Sequence, residues 1–220
     1  DFELVNRSDS KITVAGISSK ILGANLPIAK LMSNNLKFDI KEGYVLPASA
    51  KYSQPYWLEK TGTLGTYDVS NQELIGTPEN DPAIEFDITL DVEGHKLVYT
   101  IPLIYKWNDP VKGEQYRPFA ITPPVFVNFS ESILIFADDN SKALNLLIKS
   151  AVDNFSGKVQ IKAPKGWQLN KSEWDIKLEN KGDEQKITAI LKPTSKAVDG
   201  SITAQVISGG VQYNMALSTI

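Results

Sequence analysis

Flat aromatic side chains beside a scarce guanidinium are the strongest chemical signal in this chain. Tyr56 and Trp57 fall in YSQPYWLEK with Tyr52, while Tyr105, Trp107, Tyr116 and Arg117 fall in YKWNDPVKGEQYRPFAITPP, residues 105–124. Rings that cover apolar C–H faces, next to polar donors that fix orientation, make a docking platform for a sugar or an extended peptide. The same rings also cap cores or fill a contact between domains, because large aromatics dominate burial. Arg117 is compositionally unusual, since two arginines, Arg7 and Arg117, stand against twenty-one lysines. A guanidinium pairs bidentately with a carboxylate. Asp109 or Glu114 is the expected structural partner, and a ligand carboxylate or phosphate the functional alternative. The ligand-binding candidates are Tyr56, Trp57, Tyr105, Trp107, Tyr116 and Arg117.

A catalytic set is hard to assemble from the remaining residues. His95 is the single histidine and sits in EGHK, a turn sequence in which a solvated ring is expected. A Ser/His/Asp triad would have to use that ring, and no histidine-rich metal set is possible. The chain has no cysteine, which removes disulfides, thiolate nucleophiles and cysteine-ligated zinc together. No GxSxG elbow, P-loop or dinucleotide glycine fingerprint occurs. Glu93, Asp109, Glu114 and Asp138-Asp139 are loop acids of the kind glycosidases pair across a bond, but spacing does not make any two converge. Asp138-Asp139-Asn140-Ser141 concentrates oxygen ligands without the graded spacing and glycine of a calcium loop, so a polar turn is expected there. Four N-x-S/T sequons, at Asn6, Asn128, Asn154 and Asn170, are too short a signal to assign a host. These residues imply a non-enzymatic chain without cofactor or metal.

Composition sets the frame for those side chains. The chain of 220 residues is 42% hydrophobic and 22% charged, with a net charge of −3, values typical of globular domains. Lysines alternate with acids along the whole length, so no basic stripe marks a nucleic-acid surface. No apolar run approaches the roughly 20 residues that span a bilayer. The opening DFELVNRSDS lacks an initiator methionine and a signal-peptide pattern, which suggests a piece of a longer protein or a start after a removed segment.

The elements that must position the aromatics are strands. Ile84, Phe86, Ile88 and Leu90 alternate with Glu85, Asp87, Thr89 and Asp91, the period of a half-buried antiparallel strand. Residues 92–95 supply a turn and 97–105 the returning strand of a hairpin. Residues 2–5, 12–17, 36–40 and 65–69 also suit strands. Residues 22–35 suggest a helical turn after Pro27, where Ile28, Leu31 and Met32 recur at helical spacing. Residues 44–58 are proline-punctuated and aromatic, an ordered loop or edge. After Pro123-Pro124 come eight further strand segments: 125–129, 133–136, 144–149, 157–162, 174–178, 185–192, 201–208 and 211–217. Short strands with frequent turn signals are the pattern of an immunoglobulin-like sandwich. Trp167, after a proline-glycine turn, is expected to fold over the end of that core. The expected fold is therefore all-β, two tandem immunoglobulin-like antiparallel β-sandwich domains, 1–122 and 123–220, hinged near residues 121–124.

Two resemblances add to this reading. KVQIKAPKGWQL, then DEQKITAILKP and VQYNMALST, is similar to the NPCBM-associated domain of alpha-galactosidases, with Pro164, Gly166 and Trp167 matching a P-x-G-W turn. SQPYWLEK, YDV, GTPENDPA and IYKWNDPVKGEQYRPFAITPPV resemble the region downstream of the catalytic domain in large bacterial PIG-L (LmbE-like) deacetylases. That family's zinc site uses a His-Pro-Asp-Asp motif, which this sequence lacks, so its activity does not carry over. The resemblance implies an accessory region of an exported, periplasmic or extracellular enzyme. Its expected partners are the upstream catalytic domain of the same chain and a glycan, with no nucleic acid and no membrane span. A purely structural spacer or adhesin-like stalk is the alternative.

Overall fold

The computed structural model describes residues 1–47, 49–60, 62–194 and 197–218, and the chain divides into two compact units, Asp1–Ile121 and Thr122–Ile220. Both units are built from antiparallel strands, and no α-helix occurs among the described residues. The all-β class expected from the sequence is the class observed.

Unit 1 is organised by one alternating segment. The strands are β1 (Phe2–Val5), β2 (Ile12–Ser19), β3 (Ala24–Met32), β4 (Lys37–Ile40), β5 (Glu85–Val92), β6 (His95–Pro102), β7 (Ile104–Asp109) and β8 (Gly113–Pro118). A four-stranded sheet runs β3-β2-β5-β6. The β5 alternation places Phe86 and Ile88 in a core with Ile84, Val14 and Ile17, each burial contributing about 1.5–3 kcal/mol. The β1–β4 ribbon supplies the second layer: Phe2 and Ile40 pack onto this core, and the Phe2 ring meets Phe86 edge-on at 4.9 Å. That layer is thus a two-stranded ribbon and not a full sheet. β5 turns into β6 through Glu93 (φ 52°) and Gly94 (φ 90°), two left-handed residues in the geometry that suits the twist of a tight hairpin. Gly16 lies at a register shift in β2, where an added Cβ would stand 2.9 Å from the Leu26 carbonyl oxygen.

Unit 2 is a sandwich of two four-stranded sheets. Its strands are β9 (Val125–Phe129), β10 (Lys142–Ser150), β11 (Phe155–Lys162), β12 (Trp167–Leu169), β13 (Glu173–Leu178), β14 (Glu184–Pro193), β15 (Thr203–Ser208) and β16 (Val211–Tyr213). The sheet orders are β12-β14-β10-β9 and β13-β11-β15-β16. Strict alternation along β10 and β14 sends Leu144, Leu146, Ile148, Ile187, Ala189 and Leu191 to the core. Val159, Ile161, Ile176 and Val206 meet them from the facing sheet. The amide of Val127 in β9 donates to the Met215 carbonyl at 2.9 Å, tying β9 to the segment that follows β16. Trp167 opens β12, donates its indole N–H to the Val198 carbonyl at 2.8 Å and packs edge-on against Phe136.

Several sequence expectations are corrected. The helical turn after Pro27 is strand β3; β3 is a sheet edge, where a missing N–H breaks no ladder, so Pro27 is tolerated. Residues 65–69 form no strand, only an isolated bridge between Thr63 and Thr66. Residues 133–136 run without regular pairing, with Ile133 and Ile135 exposed. The expected strand 97–105 is two strands: β6 stops at Pro102, Leu103 donates to the Ile84 carbonyl at 2.8 Å, and β7 starts a separate ribbon at Ile104.

Candidate functional site

The segment 105–118, where Asp109 and Glu114 were expected as loop acids, is a two-stranded ribbon. β7 and β8 pair from Ile104↔Pro118 to Asp109↔Gly113 and join no other sheet. The turn at its tip is set by Asp109, whose Oδ1 accepts the amides of Val111 and Lys112, each at 2.8 Å. Those bonds to the charged form, Lys112 first and Val111 second, hold the Asp109 carboxyl below its ordinary value.

Cross-strand partners share a face, so the register sorts the candidates. Tyr105, Trp107, Gln115 and Arg117 occupy one face, while Ile104, Lys106, Glu114, Tyr116 and Pro118 occupy the other. On the first face, the Tyr105 and Trp107 rings lie 5.7 Å apart, and the Arg117 guanidinium sits 4.7 Å from the Tyr105 centroid and 5.9 Å from that of Trp107. On the second, Lys106 pairs with Glu114 and lies 5.6 Å from the Tyr116 ring centroid. The expected pairing of Arg117 with Asp109 or Glu114 is therefore overturned. Asp109 is turned to its own turn amides, Lys106 takes Glu114, and the guanidinium stacks on an aromatic face instead.

Beside the ribbon lies a cleft of 1020 Å³ within unit 1. Tyr52, Trp57, Tyr116, Arg117 and Phe119 line it with six prolines, Pro47, Pro55, Pro78, Pro82, Pro102 and Pro118. Its charged residues are Lys51 and Arg117 against Glu59, Glu79 and Asp81. Pro102 and Pro118 end paired strands, whereas the segments that carry Pro47, Pro55, Pro78 and Pro82 are in no strand, and side chains hold them. Asn80 accepts the Tyr56 amide at 2.9 Å and donates to the Gln54 carbonyl at 2.6 Å. Ser53 exchanges two bonds with Ile121, its amide donating to the carbonyl at 2.7 Å and its Oγ accepting the amide at 2.9 Å. Residues 56–58 form a short 3-10 turn that presents Trp57. Tyr56 supports it from behind, edge-on to the indole at 4.9 Å, with its hydroxyl donating to the Thr77 carbonyl at 3.2 Å.

The six candidates thus form two sets. Trp57 and Tyr116 line the cleft with Tyr56 behind, whereas Tyr105 and Trp107 stand on the ribbon's other face; Arg117 stacks there and also lines the cleft. Asn80 and the proline walls went unrecognised as parts of a site. Asn80 lies twenty-four residues from Tyr56 in the chain, and only the fold joins them.

The other chemical candidates are self-contained. His95 is exposed at the start of β6, opposite Val92. Asp138 accepts the amide and the side-chain amide of Asn140 at 3.0 and 2.7 Å, closing a polar turn. No group of three or more acids and histidines placed to hold a metal ion occurs among the described residues.

No protein-family model matches the chain. No curated protein matches it as a relative.

Proposed function

We propose that the chain is a non-catalytic accessory region of a larger exported bacterial enzyme of the PIG-L deacetylase type, and that unit 1 contacts that enzyme's glycan substrate through its cleft. The observation that carries this reading is the cleft itself. It combines exposed or half-buried rings of Tyr52, Trp57 and Tyr116 with polar groups around a volume suited to a few sugar residues. Its walls are stiffened by proline and pinned by Asn80 and Ser53, which lowers the ordering cost of binding. The immunoglobulin-like sandwich of unit 2 serves in this reading as the adjoining scaffold.

Affinity electrophoresis and a glycan array on the 220-residue chain test the reading. Retardation by a polysaccharide that is lost in Trp57→Ala and kept in Trp107→Ala supports the cleft. Absence of binding by the unsubstituted protein, or binding indifferent to Trp57, defeats it and leaves the spacer or stalk reading. That second reading draws on the ribbon, whose Arg117–Tyr105 and Lys106–Tyr116 contacts are satisfied without any ligand.

A further inference from the structure

Strand β6 is an edge left open on two counts. Cross-strand partners share a face, so Leu97 and Tyr99, opposite Leu90 and Ile88, stand on the face that carries the unit 1 core. Yet they are 46% and 61% exposed, and the core is uncovered at this strand. The backbone of β6 is equally unanswered. Glu93 and Gly94, both left-handed, close a two-residue hairpin, which makes Val92 and His95 a hydrogen-bonded pair. The bond from the Leu103 amide to the Ile84 carbonyl falls on the same alternation. Lys96, Val98 and Thr100 therefore turn their N–H and C=O groups away from β5, and nothing among the described residues bonds to them. The other edges of the four-stranded sheets are guarded. β3 carries Pro27 and a left-handed Ala29, and β12 and β16 are three residues long. β13 alternates Glu173, Asp175 and Lys177, and the segment at Met215 is bonded to β9. β6 runs eight residues with proline only at its end.

We infer that β6 is a self-association edge, pairing antiparallel with the β6 of a second copy about a two-fold axis at Val98. The strand's own sequence selects that occupant and that register. A two-fold at Lys96 sets two ammonium groups opposite one another, and one at Thr100 sets Val98 against Pro102, which has no amide. A two-fold at Val98 lets Lys96, Val98 and Thr100 exchange about six main-chain bonds with the second copy. It sets Leu97 opposite the second copy's Tyr99 on the core face, an aliphatic–aromatic pair made twice. On the reverse face it sets Lys96 opposite the second copy's Thr100, whose hydroxyl donates to Asp87 at 2.6 Å. Neither Lys96 nor Asp87 has an ion-pair partner among the described residues, so the pairing brings complementary charges together.

Sedimentation equilibrium of the full chain over a concentration series should show a reversible monomer–dimer equilibrium. Val98→Pro deletes an outward amide and spares the bonds to β5, so dimerisation should weaken about tenfold or more while far-ultraviolet circular dichroism is unchanged. The chain has no cysteine, so a single introduced thiol reports its own symmetry mate. Val98→Cys should cross-link to a dimer under mild oxidation. Val111→Cys, at a more exposed position on the ribbon tip, should not. A chain that stays monomeric, or cross-linking no faster at residue 98 than at residue 111, overturns the inference. A dimer untouched by Val98→Pro does the same. An extended foreign peptide that protects the Val98 amide of a monomeric chain assigns the edge to another protein's strand, and equally overturns it.

Discussion

Asn80 stands in for a missing strand beside Tyr56. Its Oδ1 accepts the Tyr56 amide at 2.9 Å and its Nδ2 donates to the Gln54 carbonyl at 2.6 Å, the two-way exchange a ladder partner would make. Asn80→Ala removes both bonds and leaves the Trp57 side chain itself unaltered, although Asn80 also lines the cleft. Each bond is exposed, so the global cost should be near the low end of about 0.5–1.5 kcal/mol per bond. The local effect should be larger: amide exchange of Tyr56 rises, and glycan affinity falls. Unchanged protection of Tyr56 in Asn80→Ala removes this residue from the support of the cleft.

Arg117 and Tyr105 are cross-strand partners in a ribbon that no other strand joins. Isolated two-stranded hairpins are marginal in water, so this contact contributes to keeping β7 and β8 together. A double-mutant cycle with Arg117→Ala and Tyr105→Leu should return a coupling of about 0.5–1 kcal/mol, the scale of an exposed cation–π pair. A coupling of zero would show that the guanidinium does not depend on the ring.

Ile148 and Ile190 lie on adjacent strands and differ in the direction they face. Ile148 is fully buried, while Ile190 is 37% exposed. Truncation to alanine at Ile148 should cost about 2–5 kcal/mol, and at Ile190 well under half of that. Urea denaturation of both variants checks the contrast, which fails if the two midpoints shift alike.

Ser19 is 2% exposed, and its hydroxyl has no hydrogen-bond partner among the described residues. An unsatisfied buried hydroxyl carries a desolvation cost of about 1–3 kcal/mol. Ser19→Ala should therefore raise the thermal midpoint of unfolding, and a fall would mean the hydroxyl is satisfied in solution.

Asp109 gives the ribbon tip a defined acid response. Its folded-state carboxyl is held below the ordinary 3.8 by the amides of Lys112 and Val111. A depressed carboxyl contributes stability that is complete above its unfolded value and lost as pH falls through its folded value. The tip should hold at neutral pH and loosen only below 3.8. Carbon-detected titration of Asp109 should place its midpoint under that value, with the Val111 and Lys112 amide shifts moving in the same step. A midpoint at or above it contradicts the turn geometry.

Much of the scaffold was readable because burial is one-sided along its strands. The alternation from Ile84 to Leu90 predicted β5, and the EGHK turn predicted its return. Strand β3 escaped because its alternation fails at Lys30 and Leu31: Lys30 faces Val14 across the ladder, while Leu31 is 52% exposed. With Pro27 before them, the apolar residues left over fell at helical spacing. The β7–β8 ribbon escaped for a related reason. Its strands bury neither face, so their residue types carried no periodic signal. For the site, residue type located the aromatics, but the partition of Tyr116 from Tyr105 and Trp107 depends on register. Asn80, Ser53 and the cleft walls depend on contacts between segments far apart in the chain.

The six prolines around the cleft have one more consequence. Each deletes an amide hydrogen and keeps its carbonyl, so the wall is richer in acceptors than in donors. A strand laid against it would present N–H and C=O groups in equal number and leave some carbonyls of its own unanswered. A sugar brings several hydroxyl hydrogens that can each turn toward a lone pair, alongside ring and glycosidic oxygens that only accept. The backbone of the wall therefore favours a ligand that brings more donors than a paired strand can.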